Sequence, residues 1–250
     1  MGTPTPGPAA AASPAQRIPS WLRIPKVFYS PGEVFEDIAR APHFILCLAV
    51  EIAIGVLVAW LAVHRIGAMN IALNAIKSNP MAQSLSAAQR AQQAATAARF
   101  IRLSPAMAVI GTLLLWVILA AILLGAENFG LGQQTQYKQM LGVAAHGLLP
   151  LSLAGVLSAI VVLGAPRGTD LNIQNLIGSN LGYYLDPHTS PWLLALGQRL
   201  DLFSFWVIGL LALGLQKAGT KVKYGSALSI MLLLWGVWVL AMVGIAALRS

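Results

Sequence analysis

Glu51 stands in the run Leu48-Ala49-Val50-Glu51-Ile52-Ala53, and no other charge interrupts residues 44–63. A charged carboxylate in hydrocarbon costs at least ~2.5 kcal/mol, so such a group is paired, protonated or turned toward a cavity. Its chemistry is either proton or cation handling, or a hydrogen bond that packs one helix on another. The packing role is the expectation, with a protonated acid donating one bond to a neighbouring helix. His146 and Pro150 lie four residues apart in Ala145-His146-Gly147-Leu148-Leu149-Pro150. A proline lacks the amide that would bond the carbonyl four residues earlier. Pro150 therefore frees the His146 carbonyl, and the imidazole stands beside the break. One reading is a hinge carrying a titratable ring. The simpler one is a kink satisfied by neighbouring helices. Glu51 and His146 would form an intramembrane pair, the centre of a small ion- or solute-transporting protein, if their helices touch. Arg199, Asp201 and Ser204 gather ahead of another apolar run. Residues at i, i+2 do not share a helix face, so Asp201 is expected to cap a helix and Arg199 to anchor at the headgroups.

Other chemistries lack their residues. There is no Gly-x-x-x-x-Gly-Lys-Ser/Thr phosphate loop, no His-Glu-x-x-His pair and no Gly-x-Ser-x-Gly elbow. His43, His64, His146 and His188 are too scattered to suggest a metal site by spacing. The lone Cys47 permits neither an intrachain disulfide nor a thiolate metal site. The expectation is a protein with no catalytic residues, no cofactor and no metal.

The elements that must position these groups are set by composition. Of 250 residues, 57% are hydrophobic and only 10% charged, and the mean hydropathy is +0.72. A soluble domain carries about 25% charged residues, so a single water-soluble globule and a disordered chain are both excluded. The apolar residues gather in runs near the ~20 that cross a ~30 Å hydrocarbon core. The reading is an all-α, polytopic membrane bundle with spans at 44–63, 106–126, 141–163, 202–216 and 225–248. The fourth is short, and four spans are the alternative. Gly155-x-x-x-Ala159, and Gly236 with Gly244, offer small-residue seams for close helix approach. Trp206, Trp235 and Trp238 read as packing or belt residues.

Short interfacial helices complete the pattern. In Ser30-Pro31-Gly32-Glu33-Val34-Phe35-Glu36-Asp37-Ile38-Ala39-Arg40, Ser30 is an N-cap, Pro31 the first helical residue and Glu33 the partner of a capping box. Val34, Phe35 and Ile38 share one face, which suits a helix lying in the membrane interface. Upstream, apolar residues mix with Arg17, Arg23 and Lys26, again an interfacial mixture. Residues 84–103 read as a polar helix capped by Ser86, and 165–200 as short interfacial or re-entrant pieces. Residues 1–26 form a Pro/Ala-rich flexible tail and basic segment, and 27–250 the membrane domain. The first 16 residues lack the apolar core of a signal peptide, so the first span is expected to serve as the insertion signal.

The formal net charge of +8 sits mainly between the apolar runs. It reads as topology control and attraction to anionic lipid, with the bilayer as partner and no nucleic acid. Lysines and arginines divide evenly between the two faces of a five-span chain. The dense Lys217, Lys221 and Lys223 then favour a cytoplasmic N-terminus.

The segment Phe28-Tyr29-Ser30-Pro31-Gly32-Glu33-Val34-Phe35-Glu36-Asp37-Ile38-Ala39 ahead of a first span resembles the lead-in motif of bacterial Yip-domain proteins. Ala145-His146-Gly147-Leu148-Leu149-Pro150 in the third span matches as well. So do Leu200-Asp201-Leu202-Phe203-Ser204-Phe205-Trp206 opening the fourth and Gly214-Leu215-Gln216-Lys217 closing it. The order and spacing of these pieces carry the resemblance over residues 27–248. It implies five spans, a cytoplasmic N-terminus, a bacterial inner membrane and no catalytic residues. Eukaryotic members resemble adaptors that bind Rab-type GTPases in vesicle traffic and membrane shaping. The resemblance thus implies a non-enzymatic membrane adaptor or membrane-organising protein, with GTPases or other membrane proteins as partner classes. Oligomeric state is left open.

Overall fold

Helices supply the regular structure of every residue that the computed structural model describes, namely 17–77, 82, 84–169, 171–173, 175–186 and 189–248. The tail over residues 1–16, together with Asp170, His188 and Arg249, lies outside the described residues. Among the described residues, four helical runs are long and apolar enough to cross a membrane: Ile45–Arg65, Ser104–Gly130, Tyr137–Gly164 and Tyr224–Ala247. A shorter apolar helix, Leu202–Ala218, stands between the last two. These are α3 (Ile45–Arg65), α6 (Ser104–Gly125), α7 with α8 (Tyr137–Gly147 and Leu149–Gly164), α10 (Leu202–Ala218) and α11 (Tyr224–Ala247). The chain is a multi-pass membrane protein, an all-α bundle as composition requires.

The short helices gather at the two ends. At one end, α1 (Ser20–Lys26) and α2 (Pro31–Arg40) precede α3. Lys217, at the foot of α10, reaches Glu36 of α2 at 3.6 Å, and Gln139 of α7 donates to the Ala39 carbonyl at 2.9 Å. At the other end lie α4 (Ala68–Lys77), α5 (Ala87–Ile101) and α9 (Pro191–Arg199). There Arg65 donates to the carbonyls of Leu163 at 2.7 Å and Ala165 at 2.9 Å, closing the end of α8. α10 joins these ends, from the Asp201 cap beside α9 to the Lys217 contact with α2.

α7 is the centre. Met140, Val143, Ala144, Ala145 and His146 are all buried, against Leu210, Leu211 and Leu215 of α10 and Phe35 and Ile38 of α2. Small residues let backbones close in. A Cβ on Gly147 would strike Leu211, and one on Gly214 would strike Val143 and come within 3.2 Å of Phe35. The seam at Gly155 is real, since a Cβ there would lie 3.2 Å from Ile54 of α3. Gly236 and Gly244 have nothing within 4 Å, so α11 turns those glycines outward. Large side chains such as Leu114 and Ile118 of α6 and Leu233 and Leu240 of α11 are exposed. A continuous apolar surface of this kind would aggregate in water and is what lipid wets.

Several boundaries differ from expectation, each for a local reason. The third span starts at Tyr137 because Gln136 and Gln139 form a capping box there. The second runs on through a π-helical turn, Ala126–Gly130, which draws Glu127 into the helical run. α4 was not foreseen. Its Ala68 and Ala72 meet Ala94 and Ala98 of α5, and alanines carry too weak a hydropathic signal to mark a pair of touching faces. α5 does begin on Ser86, whose hydroxyl and Gln89 cap one another.

Candidate functional site

The lead-in helix departs most from its reading. Ser30 is the N-cap and Pro31 opens the helix, but the capping box does not form. The box needs the Ser30 amide, and that amide already donates to the Lys26 carbonyl at 2.8 Å. The Glu33 carboxylate instead takes the Ser30 hydroxyl at 2.7 Å and the Lys26 ammonium at 2.5 Å. The Lys26 hydrogen bond holds the Glu33 carboxyl below the usual glutamate range, and the same bond raises Lys26. The apolar face does not lie against lipid either. Val34, Phe35 and Ile38 are fully buried in protein. Ile38 sits where a Cβ on Gly142 would be and Phe35 where one on Gly214 would reach, so two glycines form the cradle. Gly32, by contrast, has open space around it.

Asp37 and Arg23 fasten this docking. The Arg23 guanidinium meets the Asp37 carboxylate at 2.6 Å with both side chains buried, and it also donates to the Ala41 carbonyl at 3.2 Å. Sequence reading placed Arg23 at the membrane surface. The pairing across α1 and α2 has no helical spacing to announce it. Phe28 seats edge-on against Trp206 of α10, ring centres 5.5 Å apart, which extends the clasp.

Glu51 is buried on α3 and accepts the indole N–H of Trp116 of α6 at 2.5 Å. Glu51 is expected to donate this bond between helices; it accepts it instead. An indole N–H can only donate, so the carboxylate is the acceptor, and its second oxygen has no partner among the described residues. Glu51 also lines a cavity of about 460 Å³ between α3, α6 and α8. Thr112 of α6 and Ser152 of α8 line it too. Both lie inside spans as isolated hydroxyls, which is the signal the sequence offered.

His146 is buried and its Nδ1 lies 2.9 Å from the Gly142 carbonyl of its own helix. A carbonyl only accepts, so Nδ1 carries the proton. The helix breaks at Leu148, between α7 and α8, two residues before Pro150, which then sits in the first turn of α8. His146 is absent from the cavity that Glu51 lines.

Asp201 caps α10 as expected, accepting from the Ser204 amide at 3.0 Å, while its other oxygen takes the Ser179 hydroxyl at 2.5 Å. Arg199 lies over the ring of Trp238, 4.7 Å from its centre. Glu127 is the carboxylate that sequence reading missed. It follows the second apolar run directly, yet the π-turn buries it completely beneath Gly219, and neither oxygen has a partner among the described residues. Glu127 thus lies at the end of a helical run long and apolar enough to cross a membrane. Among the described residues no group of three metal-ligating side chains assembles.

Compared with known proteins, residues 26–248 match the family model of the Yip1 domain. No curated protein and no solved structure matches the chain.

Proposed function

The chain belongs to the Yip1 domain family, and on that premise we propose that it is a non-enzymatic adaptor or membrane-organising protein of a bacterial inner membrane, with its N-terminus in the cytoplasm. The observation that carries this reading is the docked lead-in helix. Its apolar face is used up inside the bundle, so its outer face is held at fixed height and angle. That face offers Glu33, Glu36 and Arg40 to the exterior, with Lys217 beside them. A rigid charged face at a membrane surface suits recognition of a partner by complementary charge, which sets specificity and encounter rate. The family suggests GTPases and other membrane proteins as partner classes, and anionic lipid suits the neighbouring lysines. Ion or solute transport through Glu51 and His146 has less support, because each bonds to a different group, Glu51 to the Trp116 indole and His146 to the Gly142 carbonyl.

Placing a photo-crosslinking amino acid at Glu36 or Arg40 in native membranes tests the reading. Discrete protein adducts at these positions, absent from the lipid-facing Leu233, are expected. Lipid adducts alone at all three would overturn the adaptor reading. Proton flux through liposomes that disappears in Glu51→Gln would establish the transport one in its place.

A further inference from the structure

The cavity beside Glu51 has a carboxylate at one end and, at the other, a mainly apolar lining with the single hydroxyl of Ser104. Along α3 it runs from Glu51 to Ala62, roughly 16 Å at ~1.5 Å per residue. Ile71, Ile101 and Leu176 line its far end. Its volume, about 460 Å³, lies in the ~300–1,000 Å³ range of small-molecule sites. Polar groups converge at the other end. A Cβ on Gly55, one turn beyond Glu51, would lie 3.9 Å from the Thr112 hydroxyl. Ser152 stands one turn before Gly155, whose own Cβ would touch Ile54.

These polar groups are unsatisfied in a way their neighbours are not. A helical serine or threonine in an apolar setting usually donates back to the carbonyl four residues earlier. Ser158, Ser229 and Thr96 all do so, at 2.9, 2.9 and 3.1 Å. Thr112 and Ser152 make no hydrogen bond among the described residues. The second Glu51 oxygen is also unpartnered, though the side chain is only 8% exposed. The Glu51 oxygen is buried and the two hydroxyls are half-buried, so beside one cavity they leave an acceptor and two donors that a bound molecule can meet.

We propose that this cavity binds a hydrophobic alcohol, a molecule with a long apolar chain and one hydroxyl, with the hydroxyl at the Glu51 end. A hydroxyl donates once and accepts twice. It can donate to the free Glu51 oxygen while accepting from Thr112 and Ser152, which satisfies all three. That oxygen is covered in the unliganded protein, and the terminal torsion of a glutamate is soft, so binding turns the carboxylate to meet the hydroxyl. A fatty acid would set a second carboxylate against Glu51. An ammonium would demand full charge pairing in a buried place. The acyl chain of an ordinary phospholipid brings no donor at all.

The test uses the intact protein in nanodiscs. The probe is a long-chain alcohol carrying a mid-chain diazirine and a terminal alkyne, run beside the same molecule without the hydroxyl and beside the matching fatty acid. After irradiation, labelled peptides are mapped by mass spectrometry. The alcohol should label the segments around 51–62 and 148–155 at least about three-fold more than either analogue, the effect of roughly one net hydrogen bond. Unlabelled alcohol should compete. Thr112→Val with Ser152→Ala, near-isosteric changes, should erase that preference while labelling by the alkane is unchanged. Equal labelling by alcohol and alkane would mean that the cavity takes acyl chains indifferently and would overturn the proposal, as would a preference that survives the double variant. If the double variant does not fold, as judged by thermal unfolding, the wild-type ratio and the competition decide alone.

Discussion

At the residue scale, Asp37 and Glu51 show two ways of keeping a carboxylate out of water. Asp37 is held by charge, through the buried Arg23 guanidinium at 2.6 Å. Removing one partner of a buried pair leaves the other uncompensated, which costs about 3–5 kcal/mol, whereas replacing both with apolar groups is often near neutral. Asp37→Asn should therefore lower the unfolding midpoint in detergent strongly, and Arg23→Met with Asp37→Leu should recover most of the loss. Glu51 is held by a single donor. Trp116→Phe removes that donor and should destabilise by about 1–3 kcal/mol. Glu51→Gln keeps an acceptor for the indole and should change the same midpoint little. At the surface, Lys26 and Glu33 hold the turn between α1 and α2 by an exposed hydrogen bond. Glu33 sits below its ordinary value, so its contribution is present at neutral pH and is lost as pH falls through the depressed folded value. Lys26 sits above its ordinary value, so its part is lost only in strong alkali. The protection factor of the Ser30 amide, corrected for the pH dependence of intrinsic exchange, should fall in acid below the usual glutamate range and stay flat around neutrality.

At the scale of elements, the docking of α2 on α7 and α10 depends on glycines as much as on the apolar residues they receive. Gly214→Val would place branched carbons against Val143 and Phe35, and overpacking of a tight core costs about 1–3 kcal/mol. The expected result is release of α2 with the spans intact. A cysteine at Val34 in a Cys47→Ala background should go from unreactive to reactive toward a water-soluble maleimide. Unchanged protection would mean that α2 does not depend on that seam. This helix also shows what a sequence reveals and what it hides. Val34, Phe35 and Ile38 announce one buried face, because helical periodicity is local. What covers that face is not local. Gly142 and Gly214 lie far along the chain, and glycine adds nothing to a hydropathy pattern. The capping box failed for a similar reason, since α1 had already taken the Ser30 amide. Pro150 foretold the break in the third span, because proline acts through its own ring and missing amide. The Trp116 donor to Glu51 and the Arg23–Asp37 pair join different helices, and no spacing rule reaches between helices.

At the scale of the whole molecule, the spans were legible because a bilayer selects on length and apolarity, both of which are counted along the chain. The uncertain piece is α10. Its 17 residues extend roughly 25 Å at ~1.5 Å per residue, a little short of a ~30 Å core. Two features of its ends argue that it crosses. Asp201 caps it at the end where α9 and Arg199 lie, and Lys217 meets Glu36 at the end that carries the lead-in helices. A short span is accommodated by local thinning and by snorkelling of flanking side chains, and Lys217 has the long stem for it. Tyr224–Ala247, long and apolar enough to cross a membrane, would then make the return crossing. On the proposed orientation the dense Lys217, Lys221 and Lys223 lie in a cytoplasmic turn, since lysines in short loops weigh most in orientation. Activity reporters fused after Lys223 and after Ser250 should therefore report opposite faces, the first cytoplasmic. If both report the same face, α11 does not cross after that turn. If the first reports the outer face, the lysines do not set the orientation. A reporter after Lys77 should agree with the one after Ser250, because one crossing by α3 separates Lys77 from the lead-in helices, as one crossing by α11 separates Ala247 from the turn at Lys223.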